Sequence, residues 1–257
     1  MKIAFISDIH ANLPALQAVL ADIVLQEPDD IYCLGDLVNF AGWDNEVIEL
    51  IRTRGITTVQ GNHDEGIGYQ LTQFPYSYTS REQKIFGEQS IRQVETRITA
   101  GNRSFLRNLP FSVRMEYRFP FHSFYVCLLH GSPVGNDDYI RPDVPDDHLR
   151  EQLEAADADI LLMGHTHQPF HRPVYCEQQN RKFYRHAINV GSVGKPKHGD
   201  PSACYVLLEF GKNLQLEDPG SIRVTFRYVP YDVEAVLAQI HRLGLGNAYD
   251  EGLRKGQ

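Results

Sequence analysis

The chain has 257 residues, enough to bury a sizeable core in one large domain or two small ones. Acidic residues exceed basic ones, 33 against 25, and the formal net charge is -8. Proteins that bind duplex nucleic acid usually present a basic face, so this balance argues against duplex nucleic acid as the main partner. A phosphorylated small molecule is compatible with it, because bound metal ions can reverse the charge of a site locally.

The sequence also argues against a membrane protein and against a secreted one. The first carboxylate, Asp8, comes too early for the apolar core of a signal peptide, and no run is apolar enough to span a bilayer. No two cysteines form a C-x-x-C pair, and we expect buried thiols at Cys33, Cys127, Cys176 and Cys204. We therefore predict a cytoplasmic protein without disulfides.

The first 64 residues predict a β-α-β-α-β unit. Apolar runs that read as buried strands are Lys2–Ser7, Ile31–Leu34 and Thr57–Val59. Helical patterns lie between them, at about Leu13–Gln26 and, with Asp44 as N-cap and Gly55 as a stop, at about Asn45–Arg54. Polar residues follow each strand, and the carboxyl ends of strands are where open α/β sheets bind ligands.

Residues 65–110 predict a helical insertion, with helices at about Arg81–Thr99 and Ser104–Leu109. The insertion could form a wall or lid over the site, or it could simply pack on the sheet. The remaining predicted elements are helices at about Asp146–Ala156 and Val233–Leu243, and strands at Phe111–Tyr117, Phe124–Leu129, Asp159–Met163, Pro173–Cys176, Lys182–Val190, Ala203–Phe210 and Arg223–Val229. Because no linker or repeat interrupts them, we predict a single domain over residues 1–257.

Seven side chains with oxygen or imidazole ligand atoms follow apolar strands, which predicts a metal centre. They are Asp8, His10, Asp36, Asn62, His130, His165 and His167. Seven ligands are more than one transition metal normally takes, but they suit two metal ions that share a carboxylate. Two dications, two carboxylates and a bridging hydroxide would leave a charge of about +1, which attracts an anionic phosphate.

The segment Gly61-Asn62-His63-Asp64 places three polar groups directly after the third predicted strand, where we expect a loop. The imidazole of His63 exchanges its proton near neutral pH. We expect the carboxylate of Asp64 to fix the tautomer of that imidazole and to favour its charged form. His63 and Asp64 are therefore the predicted catalytic pair.

The chain resembles the calcineurin-like metallophosphoesterase superfamily in five segments: Asp8-x-His10, Gly35-Asp36, Gly61-Asn62-His63-Asp64, His130-Gly131 and Gly164-His165-x-His167. The resemblance covers residues 2 to about 210. Its bacterial predicted-phosphodiesterase branch, with its diadenosine-tetraphosphatase-like members, is similar through Asn12, Gly131-Ser132-Pro133 and the glycine-rich run 189–194. The resemblance implies an α/β fold, a four-layer α-β-β-α sandwich with a dinuclear metal site at the strand ends.

The resemblance also implies a role for each site residue. One metal ion would lie among Asp8, His10, Asp36 and His167, and the other among Asp36, Asn62, His130 and His165. His63 would protonate the leaving oxygen while the metals activate water. Such ligands accept divalent or transition metals including Mn, Fe, Zn, Ni and Mg, so the identity of the two ions stays open.

Departures from the superfamily narrow the predicted activity. Position 64 is Asp where the protein serine/threonine phosphatases have Glu, and no Asp-Arg-Gly follows Gly35-Asp36. Lys197 stands where the glycine-rich loop usually carries Arg, which weakens the phosphate role of that loop. We predict a phosphodiesterase or nucleotide-type phosphatase. The alternatives are a dinucleoside polyphosphate hydrolase, a phosphoprotein phosphatase, an oligonucleotide nuclease, and a non-enzymatic scaffold of the same fold.

The predicted substrate is a small phosphorylated molecule, contacted by Asn12 and Trp43. Trp43 follows the Asp36 loop, and Tyr69, Phe74, Tyr76 and Tyr78 follow the His63 loop, so these rings could form an aromatic rim that stacks on a base. The alternative is that Trp43 covers the start of the second helix and that the other rings pack the insertion against the sheet.

Overall fold

Two five-stranded mixed sheets organise the part of the chain that the computed structural model describes: residues 1–72, 80–119, 123–245, 247 and 249–257. In spatial order, the first sheet contains β10 (Ile222–Val229), β9 (Ala203–Phe210), β1 (Lys2–Ile6), β2 (Asp30–Cys33) and β3 (Thr57–Thr58). The second contains β4 (Ser112–Arg118), β5 (Ser123–Leu129), β6 (Ile160–Met163), β8 (Arg181–Asn189) and β7 (Phe170–Gln178).

Strand direction explains why the polar segments meet. Strands β1, β2 and β3 are parallel to one another, and so are β5, β6 and β8. In the first sheet β9 is antiparallel to β1, and β10 is antiparallel to β9. In the second sheet β4 is antiparallel to β5, and β7 is antiparallel to β8. Because parallel neighbours end at one edge of a sheet, the residues that follow the six parallel strands gather at the carboxyl ends.

Helices pack on the outer faces of both sheets. The described helices are α1 (Leu13–Gln26), α2 (Asp44–Thr53), α3 (Asn62–Tyr69), α4 (Arg81–Arg97), α5 (Ala100–Arg107), α6 (Asp146–Ala155), α7 (Val233–Arg242) and α8 (Asp250–Lys255). Helices α7 and α8 pack with Phe40, Ala41 and Phe86 in a separate hydrophobic cluster. Alternation along β1 shows the layers: Ile3 and Phe5 join the core between the sheets, whereas Ala4 and Ile6 pack under α1 and α2. Helix α6 packs on the far face of the second sheet. The predicted four-layer α-β-β-α order is confirmed.

Three predicted local features differ from the structure. The segment Gly61–Asp64 is not a loop, because Gly61 is the N-cap of α3 and the helix begins at Asn62. Glycines at positions 66 and 68 lower the helix propensity of this segment, so the sequence did not predict α3. Asp44 is the first residue of α2 rather than its N-cap, and the helix α8 was not predicted.

All four cysteines are buried and unpaired, as predicted. They lie in β2, β5, β7 and β9, all of which are strands that the sequence predicted. Among the helices that the structure describes, none has the length and apolar character needed to cross a membrane.

Candidate metal centre

The seven predicted ligands lie together at the carboxyl ends of the parallel strands. Two clusters of His and Asp side chains have ligand atoms within 4.8 Å of one another, Asp8 with His10 and His167, and Asp36 with His130 and His165. A third group that meets the same distance, His10 with Asp36 and His63, links them. Asn62 joins the second cluster, since its Oδ1 is 3.1 Å from Nε2 of His130. The two clusters meet at Asp36, whose Oδ2 is 3.4 Å from Nε2 of His130 and 3.7 Å from Nε2 of His10.

The backbone of these residues is unusual. Five of the seven adopt a left-handed conformation that residues other than glycine rarely take: Asp8, His10, Asp36, His165 and His167 have φ between 49° and 64°. Such residues persist only where the surrounding structure holds them, and they cluster at functional sites. Each tight turn after a strand therefore directs a polar side chain into the centre, at a cost that packing elsewhere must offset.

Two glycines allow the close approach of the strand ends. A Cβ atom at Gly61 would overlap the backbone nitrogen and Oδ1 of Asp36. A Cβ atom at Gly164 would overlap the side chains of Ser7 and Asp8. In the sequence, a glycine at position 61 predicts a sharp turn and a close approach of the backbone to a ligand. The structure shows instead that both glycines make room for the carboxylates of the centre.

Hydrogen bonds to carbonyl groups fix the tautomers of two histidines. Nδ1 of His130 is 2.7 Å from the carbonyl oxygen of Leu34, and Nδ1 of His167 is 2.5 Å from that of Lys195. A carbonyl oxygen can only accept, so in both rings Nδ1 carries the proton and Nε2 presents a lone pair. Both Nε2 atoms face the carboxylates of Asp8 and Asp36. That tautomer is the one a metal-ligating histidine needs.

The centre brings two acceptor atoms, Nε2 of His167 and Oδ1 of Asp8, against one another. Nε2 of His167 lies 3.1 Å from Oδ1 of Asp8 and 3.1 Å from Nε2 of His10. Oδ1 of Asp8 and Nε2 of His165 are buried and have no hydrogen-bond partner among the described residues. Buried polar atoms are nearly always satisfied, and lone pairs that converge in this way repel unless a cation lies between them. The residues present therefore fit metal ions.

The ionisation states of most ligands are also those that metals require. Burial lowers the pKa of His10 and His167, and it lowers the pKa of His165 to about 3, so these rings are neutral. Burial opposes ionisation of Asp36, but the neighbouring histidines outweigh it and hold the pKa of this carboxyl below its usual range. Carboxylates and neutral imidazoles are the forms that bind metals.

His130 is the exception among the imidazoles. Burial lowers its pKa, but the carboxylates of Asp36 and Asp8 outweigh that effect and raise the pKa of His130 to about 10. In the absence of a metal, the extra proton would sit on Nε2, because Nδ1–H already donates to Leu34. Proton and metal ion therefore compete for this nitrogen.

Comparison with known proteins agrees with this arrangement. Residues 1–213 match the sequence profile of the calcineurin-like phosphoesterase superfamily domain. The chain belongs to that superfamily. The matched region contains every residue of the centre described above, which confirms the resemblance found in the sequence.

Three relatives span nearly the whole chain. An uncharacterized protein of Methanocaldococcus jannaschii is 31% identical over 250 residues, covering 93% of this chain and 91% of its own. The crystal structure of a metallophosphoesterase from Sphaerobacter thermophilus has a TM-score of 0.72 at 29% identity and covers 100% of this chain and 99% of its own. A hypothetical protein from Pyrococcus horikoshii shares the fold, with a TM-score of 0.74, 20% identity, and coverage of 100% and 98%.

The predicted pairing of Asp64 with His63 is wrong. The two carboxylate oxygens of Asp64 accept hydrogen bonds from the backbone N–H groups of Asp36, Leu37 and Gly61, at 2.7–3.0 Å. Burial, with Asp36 nearby, raises the pKa of Asp64 to about 7. Adjacent residues on a helix point about 100° apart, so Asp64 faces the Asp36 loop while His63 faces the cleft. Asp64 positions the loop that carries Asp36.

Asn39, rather than Asp64, contacts the imidazole of His63. Oδ1 of Asn39 accepts hydrogen bonds from Oγ of Ser90 and from the backbone N–H of Phe40. These two donors fix the orientation of the amide, so its nitrogen Nδ2 faces Nδ1 of His63 at 2.9 Å. Nδ1 is therefore an acceptor, and the proton of the neutral ring lies on Nε2, which is 3.9 Å from Oδ2 of Asp36. Burial lowers the pKa of His63 to about 4.

A cleft opens beside the metal-ligand residues. Its lining includes His10, Asp36, Asn62, His63, His165 and His167 together with Asn39, Phe40, Phe86, Gly87, Ser90, Tyr139, Lys195, Lys197 and Tyr249. Helix α4 contributes Phe86, Gly87 and Ser90, so the predicted insertion supplies one wall of the cleft. The lining residues from Asn39 to Tyr249 in this list were not predicted as site residues, although Lys197 was noted in the sequence. The position of Asn39, three residues after Asp36, is the signal that could have found it.

Asn12 does not reach this cleft, which corrects the predicted substrate-binding role. Its side chain is fully buried. Oδ1 accepts a hydrogen bond from the backbone N–H of Ala15 and caps α1, while Nδ2 donates to the carbonyl oxygen of Gly194. Asn12 therefore ties the first strand–helix turn to the glycine-rich loop.

Trp43 also lies away from the described lining of the cleft. It packs against the hydrophobic cluster of Phe40, Phe86 and the helices α7 and α8, which agrees with the packing alternative. Tyr69 is 53% exposed and is likewise absent from the part of the lining that the structure describes. The other predicted rim residues, Phe74, Tyr76 and Tyr78, lie outside the described residues.

Proposed function

We propose that this protein is a metal-dependent hydrolase of small phosphoesters and that its centre holds two divalent or transition metal ions. One observation carries the proposal: buried lone pairs from two groups of Asp and His side chains converge on the shared carboxylate of Asp36. Asp8, His10, Asp36 and His167 would hold one ion, and Asp36, Asn62, His130 and His165 the other. The membership in a phosphoesterase superfamily supports the same reaction class.

The bound ions would supply a water molecule of lowered pKa and would neutralise the negative charge of the phosphoryl group. In the reaction, the water oxygen forms a bond to phosphorus while the bond between phosphorus and the leaving oxygen breaks. His63 donates a hydrogen bond from Nε2 to the leaving oxygen as negative charge develops there. Asn39 and Ser90 hold the imidazole in the orientation and tautomer that this donation requires.

The cleft has room for a phosphoryl group beside the ligand residues. Its volume is about 80 Å³ and it is open to solvent, so the rest of a substrate would lie outside it. Small phosphodiesters and nucleotide-type phosphates are the proposed substrates, in preference to phosphoproteins, because position 64 and the residues after Gly35-Asp36 depart from the protein serine/threonine phosphatases.

Turnover by metal-loaded protein tests the proposal. Protein stripped with a chelator is supplied with Mn²⁺, Co²⁺, Zn²⁺ or Mg²⁺ and assayed on diesters, monoesters, dinucleoside polyphosphates and phosphopeptides. We expect the wild-type protein to lose its activity on small esters when it is stripped of metal and to regain it when metal is added back. Asp36→Asn should be inactive even with metal added. Protein that binds two metal ions per chain and hydrolyses none of these classes would be the scaffold alternative.

A further inference from the structure

Lys195 places its ammonium group among the lining residues of the cleft, where burial lowers its pKa well below the usual value and a bound anion would restore its charge. It follows the glycine-rich run, and its ammonium lies 4.6 Å from the ring centroid of Phe40 and 4.2 Å from that of Tyr249. Asp36 is the carboxylate that acts on its charge, and among the described residues no ion pair joins the two side chains. Cation–π contacts hold an ammonium group in place but leave its donors available to an anion.

The rings that hold Lys195 form a rigid wall on one side of the cleft. Phe40, Phe86 and Tyr249 contact one another with centroid separations of 4.5–5.7 Å. The backbone of Lys195 is fixed as well, because its N–H donates to Ser192 and its carbonyl accepts from His167. The ammonium is therefore presented at a defined position, as a binding group requires.

Lys195 lies on the His63 side of the cleft. Its ammonium lies 4.6 Å from the ring centroid of Phe40, the residue that follows Asn39, and Asn39 contacts the imidazole of His63. The backbones of Lys195 and Lys197 both contact His167, so the two lysines differ in the position of the Lys195 side chain over Phe40. Under the proposed function, on which this inference rests, the His63 side receives the leaving group.

We propose that Lys195 is a specificity-determining residue that binds a negatively charged leaving group, and that the preferred substrates are phosphoanhydrides, in which that group is itself a phosphate. The position of the ammonium over Phe40, next to the residue that contacts His63, supports this choice. A phosphate leaves as a stable anion and needs hydrogen-bond donors and a cation more than it needs a proton.

The reaction balances without a further reactant. The oxygen of water bonds to one phosphorus atom, and the bond from that phosphorus to the bridging oxygen breaks. The bridging oxygen keeps the electron pair and leaves as part of the second phosphate, beside Lys195. One proton of the attacking water passes to solvent.

Turnover of two substrates separates this role from a general loss of activity. Inorganic pyrophosphate has an anionic leaving group and phenyl phosphate does not, and both are assayed with metal in excess. In Lys195→Met, the ratio of kcat/KM for pyrophosphate to that for phenyl phosphate should fall about tenfold or more, since charged hydrogen bonds are strong. Lys195→Arg should keep most of the ratio. Lys197→Met, the matched control in the same loop, should change it by less than about threefold.

Binding provides a readout besides turnover. Calorimetry on the metal-loaded protein compares methylenediphosphonate with methylphosphonate, which lacks the second anionic group. The wild-type protein should prefer the diphosphonate, and Lys195→Met should lose about tenfold of that preference. Melting temperature and metal content check that each variant folds, and Lys195→Gln replaces Lys195→Met if that variant does not.

The outcomes distinguish the two proposals. A wild-type protein that hydrolyses phenyl phosphate with a substrate ratio unaffected by Lys195→Met, or changed equally by Lys197→Met, overturns the role of Lys195 and leaves the proposed function intact. A metal-loaded wild-type protein that hydrolyses no phosphoester or anhydride overturns the proposed function itself.

Discussion

Nδ2 of Asn39 lies 2.9 Å from Nδ1 of His63, and this contact decides which nitrogen of the imidazole carries the proton. The amide cannot turn its oxygen toward the ring without giving up hydrogen bonds from Ser90 and from the backbone of Phe40. Because the amide donates, Nδ1 must accept, and a second proton on the ring would meet the N–H of Asn39. The side chain of Asn39 thus places the proton of the neutral ring on Nε2, while burial lowers the pKa of the ring.

Replacing Asn39 with aspartate should reverse this preference. A carboxylate accepts a hydrogen bond from Nδ1–H and stabilises the imidazolium. Asn39→Asp should therefore raise the pKa of His63 from its low value of about 4. An opposite charge at this distance typically shifts a pKa by roughly one to three pH units. NMR titration of the metal-free protein measures the change. Asn45→Asp, on α2, is the control, and an equal rise in both variants would contradict the role of Asn39.

Removing the imidazole should lower the rate without emptying the metal centre. For His63→Ala we expect kcat to fall by about 10²–10³, the usual loss when one donor to a developing anion is removed. Esters with a nitrophenolate leaving group should lose less, because less charge builds up on their leaving oxygen. Metal analysis should give wild-type content. Equal losses for good and poor leaving groups would show that His63 acts on the phosphoryl group instead.

Asp64→Asn should act on stability rather than on the chemical step. Asp64 accepts hydrogen bonds from three buried backbone N–H groups. An asparagine at this position would turn its NH₂ group toward at least one of these donors. A buried donor left without a partner costs about 1–3 kcal/mol of unfolding free energy. Denaturant unfolding measures this loss. Unchanged stability together with a drop in kcat alone would restore the catalytic role predicted for Asp64.

The sequence located the metal-ligand residues because each follows a short apolar run. Asp8, Asp36 and His165 each lie within three residues of the end of a strand. Parallel neighbouring strands end at the same edge of a sheet, so these residues come together. The layered fold followed from the same runs and from the amphipathic helices between them. Local patterns with a period of two or 3.6 residues were sufficient for this part of the structure.

The cleft walls could not be predicted because they depend on contacts between distant segments. Ser90 reaches Asn39 across 51 positions, and Tyr249 packs on Phe40 from the far end of the chain. Proximity in sequence also misled, since Asp64 follows His63 but points elsewhere once α3 forms. Asn12 and Trp43 follow segments that carry metal-ligand residues, but neither lines the described cleft. The side chain of Asn12 caps α1, and the ring of Trp43 packs against the cluster that contains residues of α7 and α8.

Substitution of ligands should distinguish the shared carboxylate from a ligand that belongs to one cluster. Asp36 is within 4 Å of imidazoles from both clusters, so Asp36→Asn should reduce the occupancy of both proposed metal sites. Asn62 contacts only His130 of the described ligands by hydrogen bond, so Asn62→Ala should empty mainly one site. Elemental analysis and crystals soaked in Mn²⁺ provide the counts. Density for two ions with the Asp36 carboxylate bound to neither would refute the arrangement.

Trp43 gives the clearest separation between packing and substrate binding. Its ring packs with the hydrophobic cluster beneath α7 and α8 rather than lining the described part of the cleft. Truncating a large aromatic side chain in a core costs about 3–5 kcal/mol, and Trp43 is only partly buried, so Trp43→Ala should lower the unfolding free energy by about 2–3 kcal/mol. Thermal and denaturant unfolding measure this loss.

The kinetic side of the Trp43→Ala experiment uses two substrates. If Trp43 only packs, kcat/KM for a nucleotide ester and for a p-nitrophenyl ester should change by the same factor, because the variant alters the amount of folded protein and not the contacts of a base. Stacking on a base is worth roughly 1–3 kcal/mol, so a base-binding Trp43 would raise KM selectively for the nucleotide ester by about fivefold or more. Phe86→Leu, in the same cluster but within the cleft lining, is the comparison variant. A selective rise in KM for Trp43→Ala with no loss of stability would return Trp43 to the substrate site.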